Sequence, residues 1–117
     1  MASFISKTQK DREVSMYEDI QNDRTKGQRP ETKVFYNADE RSFVFEKDKV
    51  LYLLSHPEAT HLRVYYGAVP AGANLLNKAP GTPTIILSAA IGNRYNDVDG
   101  SVYIEWPTGL DANGNEI

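Results

Sequence analysis

The segment TIILSAA, residues 84–90, carries apolar side chains at both odd and even positions. A strand that alternates polar and apolar residues covers a core with one face only. A strand that is apolar on both faces lies inside a sheet that is covered on both sides. We therefore predict that residues 84–90 form the central strand of the fold, and the segments around it then decide the fold class.

Two neighbouring segments alternate instead and are predicted to be strands beside the central one. In residues 61–67, HLRVYYG, the alternation assigns Leu62, Val64 and Tyr66 to the core. Residues 101–106, SVYIEW, alternate in the same way. The connections between the three strands contain no clear helix, so the parallel crossovers that would need one are unsupported. We expect a mostly antiparallel sheet.

Two helices are predicted to pack on this sheet. Residues 6–26 begin with a capping box, formed either by Ser6 with Gln9 or by Thr8 with Asp11, in which the hydroxyl and the longer side chain each satisfy a backbone amide. Gly27 is placed to end this helix. Residues 46–56 carry apolar side chains at helical spacing. Shorter strands are expected in two further segments, residues 33–36 and 42–45.

These segments predict an α+β fold, in which a mostly antiparallel sheet of about three to five strands is packed with two helices. A single domain is expected over residues 6–107, preceded by an N-terminal segment (residues 1–5) and followed by a flexible C-terminal tail (residues 108–117). The predicted core consists of apolar residues from the second helix and the three strands: Phe45, Val50, Leu53, Leu54, Leu62, Val64, Tyr66, Ile85, Ile86, Leu87, Val102 and Ile104.

The composition limits the classes of function. A net charge of -3 over 117 residues argues against general nucleic-acid binding, which needs a cationic surface to displace the counterions of phosphate. The chain has no cysteine, which removes disulfides, thiolate metal sites and cysteine nucleophiles. The first residues contain no apolar run long enough for a signal peptide, and no segment approaches the roughly 20 apolar residues of a membrane span. We expect a cytoplasmic protein without nucleic-acid or membrane partners.

Three side chains on the polar face of residues 61–67 form the first candidate site. His61, Arg63 and Tyr65 alternate with the core positions, so they share one face at spacings of about 7 Å. Arg63 can bind a carboxylate or phosphate through two parallel hydrogen bonds while Tyr65 packs against a ring. The long loop that follows, residues 68–83, can close over them. The alternative is a face that meets solvent or the first helix, with Arg63 paired to an acid.

Metal sites are not predicted. His56, Glu58 and His61 surround a corner that gives no regular ligand geometry. The D-x-D-G motif at residues 97–100 lacks both the first oxygen ligand and the closing glutamate of a calcium loop. The oxygen-rich segment 111–115 is similarly incomplete, and calcium binding by either segment stays open at this stage. No cofactor is predicted.

Aromatic residues are plentiful on and beside the predicted strands. Tyr95, Tyr103 and Trp106 are candidates for an interaction surface, because tyrosine and tryptophan are enriched at protein interfaces. They can equally fill the edges of the core, which suits an apolar body with a polar tip. Both interpretations stay open from the sequence.

The function predicted from these features is a non-enzymatic protein-interaction or structural module. The sequence contains no catalytic motif of a common enzyme class, and its partner is expected to be another protein or a second copy of the chain in a homodimer. The alternative is a small-ligand-binding protein or minor enzyme that uses the face of Arg63 and Tyr65 beneath the loop 68–83.

Two segments, SFVFEKDKVLYLLSHPEATHLRVYYG (residues 42–67) and PTIILSAA (residues 83–90), resemble a group of small bacterial single-domain proteins without an established function. In that group a phenylalanine-led helix ends in paired leucines and runs into an arginine–aromatic–glycine strand, which a second apolar strand follows. The corresponding residues here are Phe45, Leu53, Leu54, Arg63, Tyr65, Gly67 and Ile85 to Leu87. The resemblance covers the chain up to residue 90 and implies a fold and a bacterial context, with no active site.

Overall fold

The computed structural model describes residues 3–73, 78–92, 96–98, 102–106 and 109–117. Within these residues the chain forms three helices and five strands. The helices are α1 (Lys7–Asp23), α2 (Pro30–Tyr36) and α3 (Lys47–Leu54). The strands are β1 (Ser3–Ile5), β2 (His61–Ala68), β3 (Pro83–Ile91), β4 (Asn96–Asp97) and β5 (Tyr103–Trp106). None of the described helices combines the length and the apolar character needed to cross a bilayer.

The strands form one antiparallel sheet with the order β1-β5-β3-β2, and the short β4 pairs with the last residues of β3. β3 is therefore an inner strand, which pairs with β2 along almost its whole length and with β5 and β4 on its other side. The α+β class and the central position of residues 84–90 are both confirmed. β1 and β2 are the two edges of the sheet.

The two faces of the sheet are covered by different helices. Even-numbered residues of β3 point toward α1, and Thr84 Oγ1 donates a hydrogen bond to Glu13 Oε1 at 2.8 Å. Odd-numbered residues point the opposite way, and Leu87 packs in one cluster with Leu53 of α3. We call these two sides the α1 face and the α3 face.

The N-terminus of α1 is capped by Ser6, the first of the two capping residues that the sequence offers. The Ser6 Oγ atom accepts a hydrogen bond from the Gln9 amide at 3.1 Å. The Gln9 side chain donates to Glu13 instead of closing the capping box. After the helix ends at Asp23, Gly27 adopts a φ of 60°, a left-handed conformation that glycine reaches without steric cost.

The strand predicted at residues 33–36 is wrong, because these residues complete α2. Pro30 occupies the first turn of that helix, where the missing proline amide costs no hydrogen bond. The Asp23 Oδ2 atom accepts hydrogen bonds from the Arg29 amide at 2.9 Å and from the Thr32 hydroxyl at 2.7 Å. A carboxylate bound at the start of the helix stabilises it, and the β-branched and aromatic residues further along hide this signal.

Both ends of the chain pair with other segments. The predicted N-terminal segment contains β1, in which Phe4 lies opposite Ile104 of β5. In the predicted C-terminal tail, Leu110 forms isolated bridges with Ser42 and Glu116. The second short strand expected from the sequence is wrong, since only this bridge at Ser42 is formed there.

Part of the predicted core is wrong. Leu62, Val64 and Tyr66 lie on the α3 face of β2, but they are 43%, 55% and 63% exposed. The reason is that β2 is an edge strand, whereas α3 is short and packs over β3 and β5. Two other predicted core residues are also exposed, Leu54 and Val102. The remaining ones are buried or pack against buried residues: Phe45, Val50, Leu53, Ile85, Ile86, Leu87 and Ile104.

Candidate functional site

Polar side chains from three strands converge on Asp97 of β4 at the α1 face of the sheet. The Oδ2 atom of Asp97 accepts hydrogen bonds from the hydroxyls of Tyr65 and Tyr103, both at 2.7 Å. Its Oδ1 atom accepts one from the Ser88 hydroxyl at 2.8 Å. The donors lie on β2, β5 and β3, around the short strand β4 that carries the carboxylate. The alternation of side chains along each strand brings them to one face.

Lys10 of α1 covers this arrangement. Its Nζ atom lies 4.6 Å from the centre of the Tyr65 ring and 5.2 Å from that of Tyr103. The same atom lies 2.6 Å from Asp11 Oδ1 and 3.9 Å from Asp97 Oδ2. Lys10 is buried, and a buried ammonium group needs such compensation from carboxylates and aromatic faces. We call the following residues the Asp97 cluster: Lys10, Tyr65, Ser88, Asp97 and Tyr103.

The protonation states in the Asp97 cluster follow from burial and hydrogen bonding. Burial acts to raise the pKa of Asp97, but the hydrogen bonds from Tyr65, Tyr103 and Ser88 outweigh it and hold the pKa below its usual value. Burial, and then the hydrogen bond to Asp97, raise the pKa of both tyrosines above the usual value. At neutral pH a charged carboxylate therefore accepts hydrogen bonds from neutral phenols. Such a satisfied network lacks the properties of a general base or an activated nucleophile.

The three residues predicted to bind a ligand occupy different positions around this network. Tyr65 belongs to the Asp97 cluster. Arg63 lies at its rim, with Nη1 3.8 Å from Asp97 Oδ1 and the guanidinium carbon 4.6 Å from the centre of the Tyr65 ring. His61 lies at the exposed start of β2, where its Nδ1 atom is 2.8 Å from Thr60 Oγ1. The face that carries these residues is thus partly covered by α1.

The described part of the loop 68–83 packs away from Arg63 and Tyr65. The loop begins three residues after Tyr65, about 10 Å further along β2. Gly81 lies against the backbone of Glu31 at the start of α2, and Lys78 Nζ donates to the Ile117 carbonyl at 2.8 Å. These contacts attach the loop to α2 and to the C-terminal residues.

The aromatic interaction surface predicted from the sequence is not supported at Tyr103. This residue is buried, because its ring and hydroxyl complete the Asp97 cluster. Trp106 lies in β5 opposite Ile85, and its side chain lies outside the described residues. Tyr95 lies outside them as well. The prediction for these two side chains stays a prediction.

The oxygen-rich segments considered for calcium have other partners. Asp97 already accepts three hydroxyl hydrogen bonds, and Asp99 lies outside the described residues. The Asp111 Oδ1 atom accepts hydrogen bonds from the amides of Asn113 and Asn115, both at 2.9 Å. In the described ranges no group of three or more histidine, cysteine, aspartate or glutamate residues could hold a metal ion.

Two buried carboxyl groups lie on the same face as the Asp97 cluster. Glu13 of α1 is 0% exposed and Glu105 of β5 is 3% exposed. The Thr84 hydroxyl and the Gln9 side-chain amide each donate to Glu13 at 2.8 Å. Burial, followed by the hydrogen bond and the charge of Glu13, raises the pKa of Glu105 to about 9. Glu105 therefore keeps its proton at neutral pH.

Lys10 and Glu13 carried a sequence signal that the prediction of this site missed. They continue, at helical spacing, the apolar stripe that ends in Ile20. A charged residue on the apolar stripe of a helix points into the core and needs a partner there. Ser88 inside an apolar strand and Asp97 in a polar turn give no comparable signal.

The α3 face of β2 has the opposite chemistry. Leu62, Val64 and Tyr66, which we call the apolar row, are all exposed. Among the described strands, β2 has a neighbour only on its β3 side. The Tyr66 ring stacks on Tyr17 of α1, with ring centres 5.4 Å apart. The apolar row is therefore anchored at its C-terminal end and open along the rest of its length.

α3 adds two exposed leucines to this side of the molecule. On the other side of α3, Tyr52 contacts Phe4 of β1, with ring centres 5.5 Å apart. Successive helical side chains are rotated by about 100°, so Leu54 lies on the side of α3 away from Tyr52, and Leu51 lies opposite the buried Leu53. Both leucines are exposed. α3 therefore carries exposed apolar side chains on the same face of the sheet as the apolar row.

A cleft of about 320 Å³ adjoins the C-terminal end of the apolar row. Its walls include Tyr66 and Ile85 from the sheet and Phe35 and Tyr36 from α2. The Tyr36 hydroxyl accepts a hydrogen bond from the Gln21 side chain at 3.0 Å, which holds that wall in place. An aromatic cleft of this size is large enough for a bulky apolar group.

Comparisons with protein-family models, with curated proteins and with solved structures found no match to this chain. The resemblance to small bacterial proteins therefore stays a hypothesis that rests on the residues alone.

Proposed function

We propose that the protein is a non-enzymatic interaction module that binds a protein partner through the apolar row of β2. The observation that carries the proposal is that an edge strand exposes Leu62, Val64 and Tyr66 on one face. Leu51 and Leu54 of α3, on the same face of the sheet, are also exposed. Contiguous exposed apolar surface of this kind is typical of protein–protein interaction sites.

An edge strand with an apolar face favours association for two physical reasons. Removing one valine, leucine or similar side chain from water contributes roughly 1.5–3 kcal/mol when its burial is complete. The outer side of an edge strand also carries backbone groups that can hydrogen-bond to an added strand. Edges of isolated proteins are often protected by charged side chains, whereas the charge on β2, Arg63, lies on the α1 face.

The aromatic cleft supports the same function. It lies beside Tyr66 at one end of the apolar row, so a strand that pairs with β2 can place a side chain in it. Pockets for alternate side chains provide specificity when a strand is added to a sheet edge.

The geometry favours this function over a small ligand bound at Arg63 and Tyr65. The Tyr65 hydroxyl already donates a hydrogen bond to Asp97, and its ring lies beneath Lys10. A ligand at that face would have to displace these contacts. The satisfied network also provides support for a non-enzymatic protein, because it offers no activated group.

A pull-down with matched lysine variants tests the proposal. Val64→Lys places a charge in the apolar row, and Val44→Lys is the control, because Val44 is 48% exposed and lies outside β2. Circular dichroism should show that both variants fold as the wild type does. We expect Val64→Lys to lower the recovery of proteins that the immobilised wild type retains by at least about tenfold, the effect of roughly 1.4 kcal/mol.

Equal recovery by wild type and Val64→Lys would contradict the proposal, because binding would then not depend on the apolar row. Loss of recovery by both lysine variants would also contradict it, since a general effect of added charge would explain that result.

A further inference from the structure

The free edge of β2 is not equally open along its length. α1 crosses the sheet obliquely: Lys10 lies between the rings of Tyr65 on β2 and Tyr103 on β5, whereas Met16 packs with Ala68 at the end of β2. Gly67 and Ala68 are buried. A strand that pairs with β2 therefore has the most room from its start to Tyr65, because Tyr17 of α1 stacks on the Tyr66 ring.

β2 is complementary to itself in that region. In an antiparallel pair related by a two-fold axis, each residue lies opposite the one at equal distance from the axis, and both strands keep the same side chains on the same face. An axis at Val64 places Val64 opposite its own copy. It also places Leu62 of one copy opposite Tyr66 of the other, so the two apolar rows meet.

With the axis at Val64, the side chains on the α1 face of the two β2 strands are also complementary to each other. Arg63 of one copy lies opposite Tyr65 of the other, and this happens twice. Arginine and tyrosine form favourable cation–π and cross-strand contacts, and Arg63 already stacks on Tyr65 within one chain at 4.6 Å. Arg63 and Tyr65 of the two copies thus place no two like charges directly opposite each other.

The two neighbouring axes are less favourable. An axis at Arg63 places two guanidinium groups directly opposite each other, which is destabilising for a cross-strand pair. An axis at Tyr65 places Leu62 opposite Ala68, at the end that α1 covers. The charge pattern excludes the first arrangement and the position of α1 disfavours the second.

We infer that the partner of β2 is a second copy of this chain, and that two β2 strands pair in antiparallel fashion about a two-fold axis at Val64. The inference rests on the proposed function and specifies its partner. The two sheets then become one continuous sheet, with the α3 helices of both copies on the same face as the joined apolar rows. Backbone groups on the outer sides of the two β2 strands then pair with each other.

Single-cysteine variants test the axis directly, because the natural chain has no cysteine. Opposite residues in an antiparallel pair are about 4.5–5.5 Å apart between Cα atoms, within the range of about 4.4–6.8 Å that a disulfide spans. Under mild oxidation we expect Val64→Cys to form a covalent dimer with itself. Leu62→Cys and Tyr66→Cys should cross-link at least about tenfold faster when mixed than either does alone.

Light scattering of the wild type over a concentration series provides the second measurement. We expect the mass to approach that of two chains, and Val64→Lys to reduce the association constant by at least about tenfold relative to Val44→Lys. Cross-linking of Arg63→Cys with itself in place of Val64→Cys would overturn the proposed axis.

A wild type that stays monomeric at every concentration, with no cross-link at position 64, would overturn the second copy as the partner. The proposed function is tested separately by the pull-down, since a different protein would still depend on Val64. Failure of the inference and failure of the function are therefore distinguishable.

Discussion

Asp97 connects elements that lie far apart in the sequence. It accepts hydrogen bonds from strands on both sides of the sheet centre and faces the buried ammonium group of Lys10. Replacing it by alanine leaves two phenols, one hydroxyl and one buried cation without this acceptor. We expect Asp97→Ala to lower the free energy of unfolding by about 3 kcal/mol or more, as for other broken buried charge networks, measured by urea denaturation.

The matched control for Asp97→Ala is Asp19→Ala. Asp19 lies on the exposed surface of α1 and forms an ion pair with Arg29 at 3.4 Å. Exposed ion pairs contribute about 0–1 kcal/mol, so this variant should be nearly as stable as the wild type. Similar losses in the two variants would show that the Asp97 cluster contributes no special stability.

Glu105 makes the free energy of unfolding depend on pH. Its pKa of about 9 in the folded state lies above its usual value of 4.5. Because the folded state binds the proton more tightly, the stability it contributes is fully present below pH 4.5 and is lost as the pH rises toward 9. The expected slope is about 1.4 kcal/mol per pH unit, measured by urea denaturation at a series of pH values.

Glu105→Gln should remove most of this dependence, because the amide keeps the shape and cannot lose a proton. At pH values near 8 we expect the variant to be more stable than the wild type by on the order of 2 kcal/mol. Glu18→Gln, on the exposed side of α1, is the control and should keep the slope of the wild type. An unchanged slope in Glu105→Gln would exclude Glu105 as its source.

At the scale of elements, Gly67 sets the distance between β2 and α1. A Cβ atom at this position would lie 2.7 Å from Thr84 Oγ1 and 3.2 Å from Glu13 Cβ. We expect Gly67→Ala to destabilise the protein by about 1–3 kcal/mol, the usual cost of overpacking a close contact. Thermal unfolding measures the change, and a variant as stable as the wild type would show that α1 is not held this closely.

The elements that could be predicted from the sequence are those with a local signal. The α1 cap at Ser6 and the two-sided apolar pattern of β3 are such signals, and both are confirmed. The start of α2 depends on Asp23, a residue of the preceding helix. The pairing of β1 depends on a strand at the other end of the sequence. Short-range patterns contain neither piece of information.

The candidate site was predictable only in part, for a similar reason. Alternation correctly separates Arg63 and Tyr65 from Leu62 and Val64, and it identifies two faces. The alternation does not contain the order of the strands in the sheet. Because β2 is an edge strand, its apolar face stays open, whereas α1 covers its polar face. Asp97 accepts hydrogen bonds from these polar residues, but it lies in a polar segment whose sequence is typical of an ordinary turn.

At the scale of the whole molecule, association through β2 should link stability to concentration. Anything that binds only the folded state raises its apparent stability by mass action. We expect the thermal midpoint of the wild type to rise by several degrees between micromolar and hundred-micromolar protein. Val64→Lys should show no such rise, whereas the same concentration dependence in both proteins would contradict association through the apolar row.

The pairing of β1 with β5 also has a consequence for how the protein is made. Phe4 pairs with Ile104, about a hundred residues further along the chain, so it leaves the ribosome long before its partner does. Contacts between such distant residues require a large loop to close and form slowly. The nascent chain therefore carries β1 without its neighbour until β5 has been made. Factors that shield exposed strands can act on β1 throughout that interval.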